Sequence, residues 1–83
     1  MNKQSSLSST VAARIRAVVA AKRLTVSTVS GFLNISVDAV KRRLRGEVEF
    51  SLSQIEAFAE YTGYQPEAFL DPQFVLTSQE VAA

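Results

Sequence analysis

Four cations, Lys41, Arg42, Arg43 and Arg45, crowd into the run VKRRLR, shortly behind Ser36 and Asp38. A guanidinium presents N–H donors in a planar fork that matches phosphate oxygens and the O6/N7 edge of guanine. The chemistry of this stretch is therefore recognition of a polyanion. The rest of the chain offers little else. Histidine and cysteine are both absent, which removes the common nucleophile–base pairs and the usual zinc donors. No Gly-rich phosphate loop is present. The chain is expected not to be an enzyme and to need no cofactor or metal.

Charge is sorted along the chain. Residues 14–46 hold eight Lys and Arg against Asp38 alone, whereas residues 47–83 hold seven Asp and Glu and neither Lys nor Arg. The net charge of +1 hides this dipole. A basic half attracts a polyanion while an acidic half keeps it from settling elsewhere.

The elements that must position these cations are helical. Eighty-three residues, 47% of them hydrophobic, make one domain with a modest core. No apolar run approaches the roughly 20 residues that cross a bilayer, and MNKQSSLSST lacks a secretory signal's apolar stretch. A cytoplasmic protein with no membrane partner is expected. Residues 1–8 are polar and predict a flexible arm, with helix one starting at Ser9 or Thr10. Val11, Ile15 and Val18 mark its buried face. Thr25 caps a short helix over 26–33, whose apolar face is Val29, Phe32 and Leu33, and Asn34 can end it in a left-handed conformation. Ser36 caps a third helix over 37–45 that stops at Gly46, with Val40 and Leu44 facing the core.

Ser51 and Gln54 fit a capping box for helix four, striped by Leu52, Ile55, Phe58 and Ala59 and ended by Gly63. Pro66 opens a short fifth helix to Leu70. Phe32, Phe58 and Phe69 are expected in the core. Phe50 and Phe74 either cover a core edge or lie in a dimer interface. The domain proper is 9–72. The tail 73–83 is either a dimerisation element, with Phe74, Val75 and Leu76 as candidates, or a segment disordered or folded onto its own domain; Gln73 to Thr77 could form a short strand.

Two short helices joined by a tight turn, the second capped and cationic, suit the major groove, which is about 12 Å wide and admits one helix. The run LTVSTVSGFLNISVDAVKRRLRGEVEFSLSQIEAFAEYTGYQPEAFL resembles the lambda-repressor-like, Cro/C1-type helix-turn-helix family. Leu24-Thr25 stands for that family's Leu-Ser, Ile35-Ser36 for its Val-Ser, Val40 for its buried Ile, Gly46 for its stop, and Ala59 with Gly63 for its helix-four signature. The match covers about residues 12–70, and VKRRLRGEVEF is also similar to regulators of actinobacteria and their phages. The resemblance implies an all-α, five-helix domain that binds a double-stranded DNA operator as a transcriptional regulator, a small repressor or Cro-like protein acting as a homodimer. No small-molecule effector is expected.

The resemblance also assigns roles. Ser36 corresponds to a phosphate contact. Val37, Asp38 and Arg42 correspond to base-facing positions, with Lys41 beside them. Val37 could meet a thymine methyl. Arg42 could hold guanine. Asp38 either accepts from a cytosine amine or simply favours the helix N-terminus. Thr25, Ser27, Arg43 and Arg45 are expected on phosphate.

Two departures stand out: Val26 replaces the usual helix-two Gln, and Val19 and Leu44 replace an Arg–Glu pair, which predicts apolar packing between them. Two rival binders share the architecture. One is an antitoxin that masks a toxin; a neighbouring toxin gene would favour it. The other is a protein-interaction module that has lost DNA binding, and the retained cations at 41, 42, 43 and 45 argue against it.

Overall fold

A hydroxyl side chain opens each of the four α-helices. In the computed structural model, which describes residues 6–71, 73 and 74, Ser6 caps α1 (Leu7–Ala21), Thr25 caps α2 (Val26–Leu33), Ser36 caps α3 (Val37–Leu44) and Ser51 caps α4 (Leu52–Thr62). Each oxygen accepts a backbone N–H three residues on, which satisfies one of the donors a helix start leaves free. At Ser51 the box is complete, because the Gln54 side chain also accepts the Ser51 N–H, at 2.9 Å.

The four ends share a device as well. A left-handed residue follows each helix, at Arg23, Asn34, Gly46 and Gly63. The next N–H then reaches back five residues: Leu24 to the Val19 carbonyl (2.9 Å), Ile35 to Ser30 (3.3 Å), Glu47 to Arg42 (2.9 Å) and Tyr64 to Ala59 (3.0 Å). These bonds close carbonyls that would otherwise be orphaned.

The elements pack around Ile15, Val18, Val29, Val40, Phe58 and Phe69, all fully buried. Phe58 and Phe69 meet edge-on with centroids 5.7 Å apart. Phe32 of α2 stacks on the exposed Tyr61 of α4 at 4.5 Å. Phe50 is buried in the core, as one of its two expected roles required. Among the described residues no helix is long and apolar enough to cross a membrane.

Three expectations need correction. Helix one begins at Leu7, not after Ser9 or Thr10. Ser9 instead donates its hydroxyl to the Ser6 carbonyl (3.1 Å), and the Thr10 N–H closes on the same oxygen. Once a helix is nucleated each further residue adds a bond, so the earliest usable cap prevails. Residues 6–8 of the expected arm thus belong to the helix, and residues 1–5 lie outside the described ones. The fifth helix is a 3-10 helix (Pro66–Leu70) with Pro66 at its start and no side-chain cap. Its turns close by i to i+3 bonds, as from Ala68 N–H to the Gln65 carbonyl (2.9 Å), a form common in such short connecting pieces.

The third concerns the tail. Gln73 and Phe74 form no strand. Phe74 turns back onto its own domain, stacking on Tyr64 (5.9 Å) and Phe69 (5.7 Å) with the Arg14 guanidinium 5.5 Å above its ring. Val75, Leu76 and the rest of 75–83 lie outside the described residues.

The helix ends give a paired test. Arg23 adopts φ 57° without being glycine, whereas Gly63 sits at φ 84° with open space where a Cβ would go. Arg23→Gly is expected to stabilise the domain and Gly63→Ala to destabilise it, each by about 1 kcal/mol. Thermal unfolding by circular dichroism should show shifts of about 4–8 °C in opposite directions. Shifts of the same sign would mean that backbone strain does not set stability at these ends.

Candidate nucleic-acid interface

Helices α2 and α3 are separated only by Asn34, Ile35 and Ser36. The left-handed Asn34 reverses the chain, and the Ser30 hydroxyl fixes the turn by donating to the Ile35 carbonyl at 2.5 Å. Ile35 is half-buried against the core. Ser36 then starts α3, its oxygen 3.0 Å from the Ala39 N–H.

The inward side of α3 is narrow. Val40 is fully buried, and Ala39 and Leu44 are half-buried. Everything else on the helix faces out or is held at its edge. Val37 is 40% exposed, unusual for a valine, and Asp38, Lys41 and Arg42 are exposed with it. The four residues expected to face bases therefore share the accessible side of one helix. Arg42 and Asp38, one turn apart, form an ion pair at 3.2 Å. No described hydrogen bond or ion pair engages the Lys41 side chain.

The residues expected on phosphate divide. Thr25, Ser27 and Ser36 are exposed at or near helix starts. The Thr25 oxygen accepts the Thr28 N–H at 3.0 Å, and Ser36 is likewise engaged in capping. Each keeps further hydrogen-bonding capacity on its hydroxyl. Arg45 is exposed but gripped by Glu47, with contacts of 2.7 and 3.3 Å. That hydrogen bond holds the Glu47 carboxyl below its ordinary range and raises the Arg45 guanidinium further.

Arg43 is different. It is half-buried and turned back on the protein, donating from Nη1 to the Ala39 carbonyl (3.1 Å) and from Nε to Gln54 Oε1 (3.2 Å). Gln54 Oε1 thus serves the α4 cap and α3 together.

Sequence reasoning missed Arg14 and Arg16, which it counted only as charge. Arg16 donates from α1 to the Leu44 carbonyl at 2.6 Å, holding the C-terminal end of α3. Arg14 donates to the Asp71 carbonyl, pinning the segment that carries Phe74. Both contacts join residues far apart in the chain, and no local pattern announces them. Val19 and Leu44 are both half-buried against the core. The polar link between α1 and α3 runs through Arg16.

The acidic half lies elsewhere. Two open concavities of about 250 and 350 Å³ share Leu52, Ile55 and Leu70, and Glu49, Glu56 and Glu67 line them. Among the described residues no acidic cluster could hold a metal.

The profile of the BetR domain, a small helical family associated with helix-turn-helix-like regulators, matches residues 2–79. No curated protein and no solved structure matches the chain.

Gln54 supplies the test of this geometry. Gln54→Ala is expected to cost about 1 kcal/mol, since it removes half of the capping box and the acceptor of Arg43 Nε. Gln54→Glu keeps both acceptors and adds a negative charge at a helix start, so stability is expected to hold or rise by up to about 0.5 kcal/mol. If both variants lose stability equally in chemical denaturation, Gln54 does not join α3 to α4.

Proposed function

The chain belongs to the BetR domain family, and we propose that it is a sequence-specific, double-stranded-DNA-binding transcriptional regulator whose α2, turn and α3 act as a helix-turn-helix. One observation carries this reading. Val40 and Leu44 anchor α3 from within, and Val37, Asp38, Lys41 and Arg42 are presented together to solvent. A helix held this way can enter a major groove with its first two turns against base edges.

The roles follow from chemistry. Arg42 bonds guanine O6 and N7, worth roughly 1–3 kcal/mol of discrimination. Val37 packs on a thymine methyl, and Lys41 reaches an adjacent base edge. Thr25, Ser27 and Ser36 donate to phosphate, where the positive ends of α2 and α3 add attraction. Arg45 reaches phosphate by loosening its hold on Glu47. Arg43 acts mainly as a brace, because reaching the backbone would break two internal bonds.

One such helix reads only a few base pairs, so the protein works as a homodimer on two half-sites one or more helical turns apart, each turn about 34–36 Å. The small size suits a short repressor or Cro-like protein of the phage type.

Selection of bound genomic fragments supplies the test, followed by Arg42→Ala on selected and random duplexes. The expected result is a loss of about 5- to 150-fold in preference for the selected site, with non-specific binding largely kept. Equal loss on both duplexes would make Arg42 a phosphate contact, and no selected site at low salt would end the reading. Arg45→Ala is expected to weaken random-duplex binding and flatten the log–log salt dependence by about 0.9. An unchanged slope would mean that Arg45 makes no phosphate contact.

A further inference from the structure

Asp38 is the one acid among the eight cations of residues 14–46, and it stands in the first turn of the very helix that carries most charge. Its position looks costly for a polyanion binder, because a carboxylate there repels every nearby phosphate. Its contact explains the placement. Asp38 Oδ2 lies 3.2 Å from Arg42 Nη2, and both side chains remain more than half exposed, at 69% and 56%. The pair is therefore open to a ligand on its outer side, while burial contributes nothing to holding it together.

We propose that Asp38 sets specificity through Arg42, acting as a positioning residue that orients the guanidinium for guanine and penalises docking on phosphate. The inference rests on the DNA-reading function above.

The argument has two parts. A free arginine side chain is rotamer-rich, and ordering it on binding is unfavourable. The ion pair to the preceding turn restricts Arg42 before DNA arrives. It engages one terminal nitrogen and leaves the remaining N–H donors of the fork for a base edge. The second part is repulsive. A lone Arg42 would settle on any phosphate, but an Arg42 tied to Asp38 brings a carboxylate with it. On phosphate that carboxylate meets like charge. On a guanine edge it keeps its arginine, so the specific pose alone satisfies both groups. Discrimination then comes from worsening the wrong complex as well as improving the right one. Lys41, lacking such a partner among the described contacts, supplies attraction without this constraint.

A double-mutant cycle on the selected and random duplexes tests this. Asp38→Ala is expected to bind random duplex more tightly and to lower the selected-to-random ratio by about tenfold. In the Arg42→Ala background the same change should alter that ratio by less than about twofold. Asp38→Glu, which can keep an ion pair at i,i+4 spacing, should restore most of the ratio.

An equal drop in both backgrounds would overturn the proposal, showing that Asp38 reads a base itself. So would an unchanged ratio in Asp38→Ala while Arg42→Ala still loses its preference; Asp38 would then be a helix-end charge alone, and the DNA-reading function would stand. If Arg42→Ala keeps the full ratio, Arg42 does not read the site and this proposal fails, while the function proposed above falls only if no site is selected.

Discussion

The burial of Val40 is the constraint on which the rest depends. Helix α3 has only eight residues and carries three adjacent cations. An isolated helix of that length is unstable in water, because nucleation costs more than so few bonds return. Its order comes from outside. Val40 is fully buried, Leu44 leans on the same core, Ser36 closes the first turn and Arg16 holds the last carbonyl from α1. The narrowness of the buried stripe leaves most of the circumference for recognition. A wider apolar face would hold the helix more firmly but would hide Val37, Asp38, Lys41 and Arg42, which are exposed.

The arginines are not one patch of equivalent charges. Arg16 and Arg43 are spent on carbonyls and Gln54 and hold α3 in place. Arg42 and Arg45 are each held by a carboxylate at exposed positions. Exposed ion pairs contribute little to stability, typically below about 1 kcal/mol, so neither pair supports the fold, and Arg45 is free to exchange its partner. A ligand of higher charge density can displace Glu47 from Arg45 at small cost. The acids on α4 and the 3-10 helix, with no cation in residues 47–83, disfavour the same ligand there. Charge is thus divided along the chain, with Arg45 and Glu47 paired at the boundary.

Much of this was legible in the chain because it is local. The caps at Thr25, Ser36 and Ser51, the box partner Gln54, and the stops at Asn34, Gly46 and Gly63 are chemistry within a few residues, and each stands where the sequence placed it. The misses have two sources. Some are competitions among near-equals: Ser6 and Ser9 can both cap, and the choice depends on bonds summed over a turn. Arg23 hides its left-handed backbone because only Gly and Asn advertise that conformation. The others are distant contacts. Arg16 meets a residue 28 positions away and Arg14 one 57 positions away, and nothing in their neighbourhoods distinguishes them from solvated charges.

The same distinction separates what anchors α3 from what it presents. Its anchors are long-range and came into view only with the fold; its presented residues, Val37, Asp38, Lys41 and Arg42, are consecutive or one turn apart and could be read directly. Recognition chemistry can be compressed into six positions because the scaffold absorbs the geometric burden. On the proposed function, replacing Arg42 or Asp38 changes preference and leaves α3 in place, since their side-chain pair is exposed while Val40 is buried. Replacing Arg16 or Gln54 does the reverse: the reading residues remain, but the rod that aims them loosens. On the proposed function, affinity and preference are separable, the first carried by the placement of α3 and its total charge, the second by the residues exposed on its outer face.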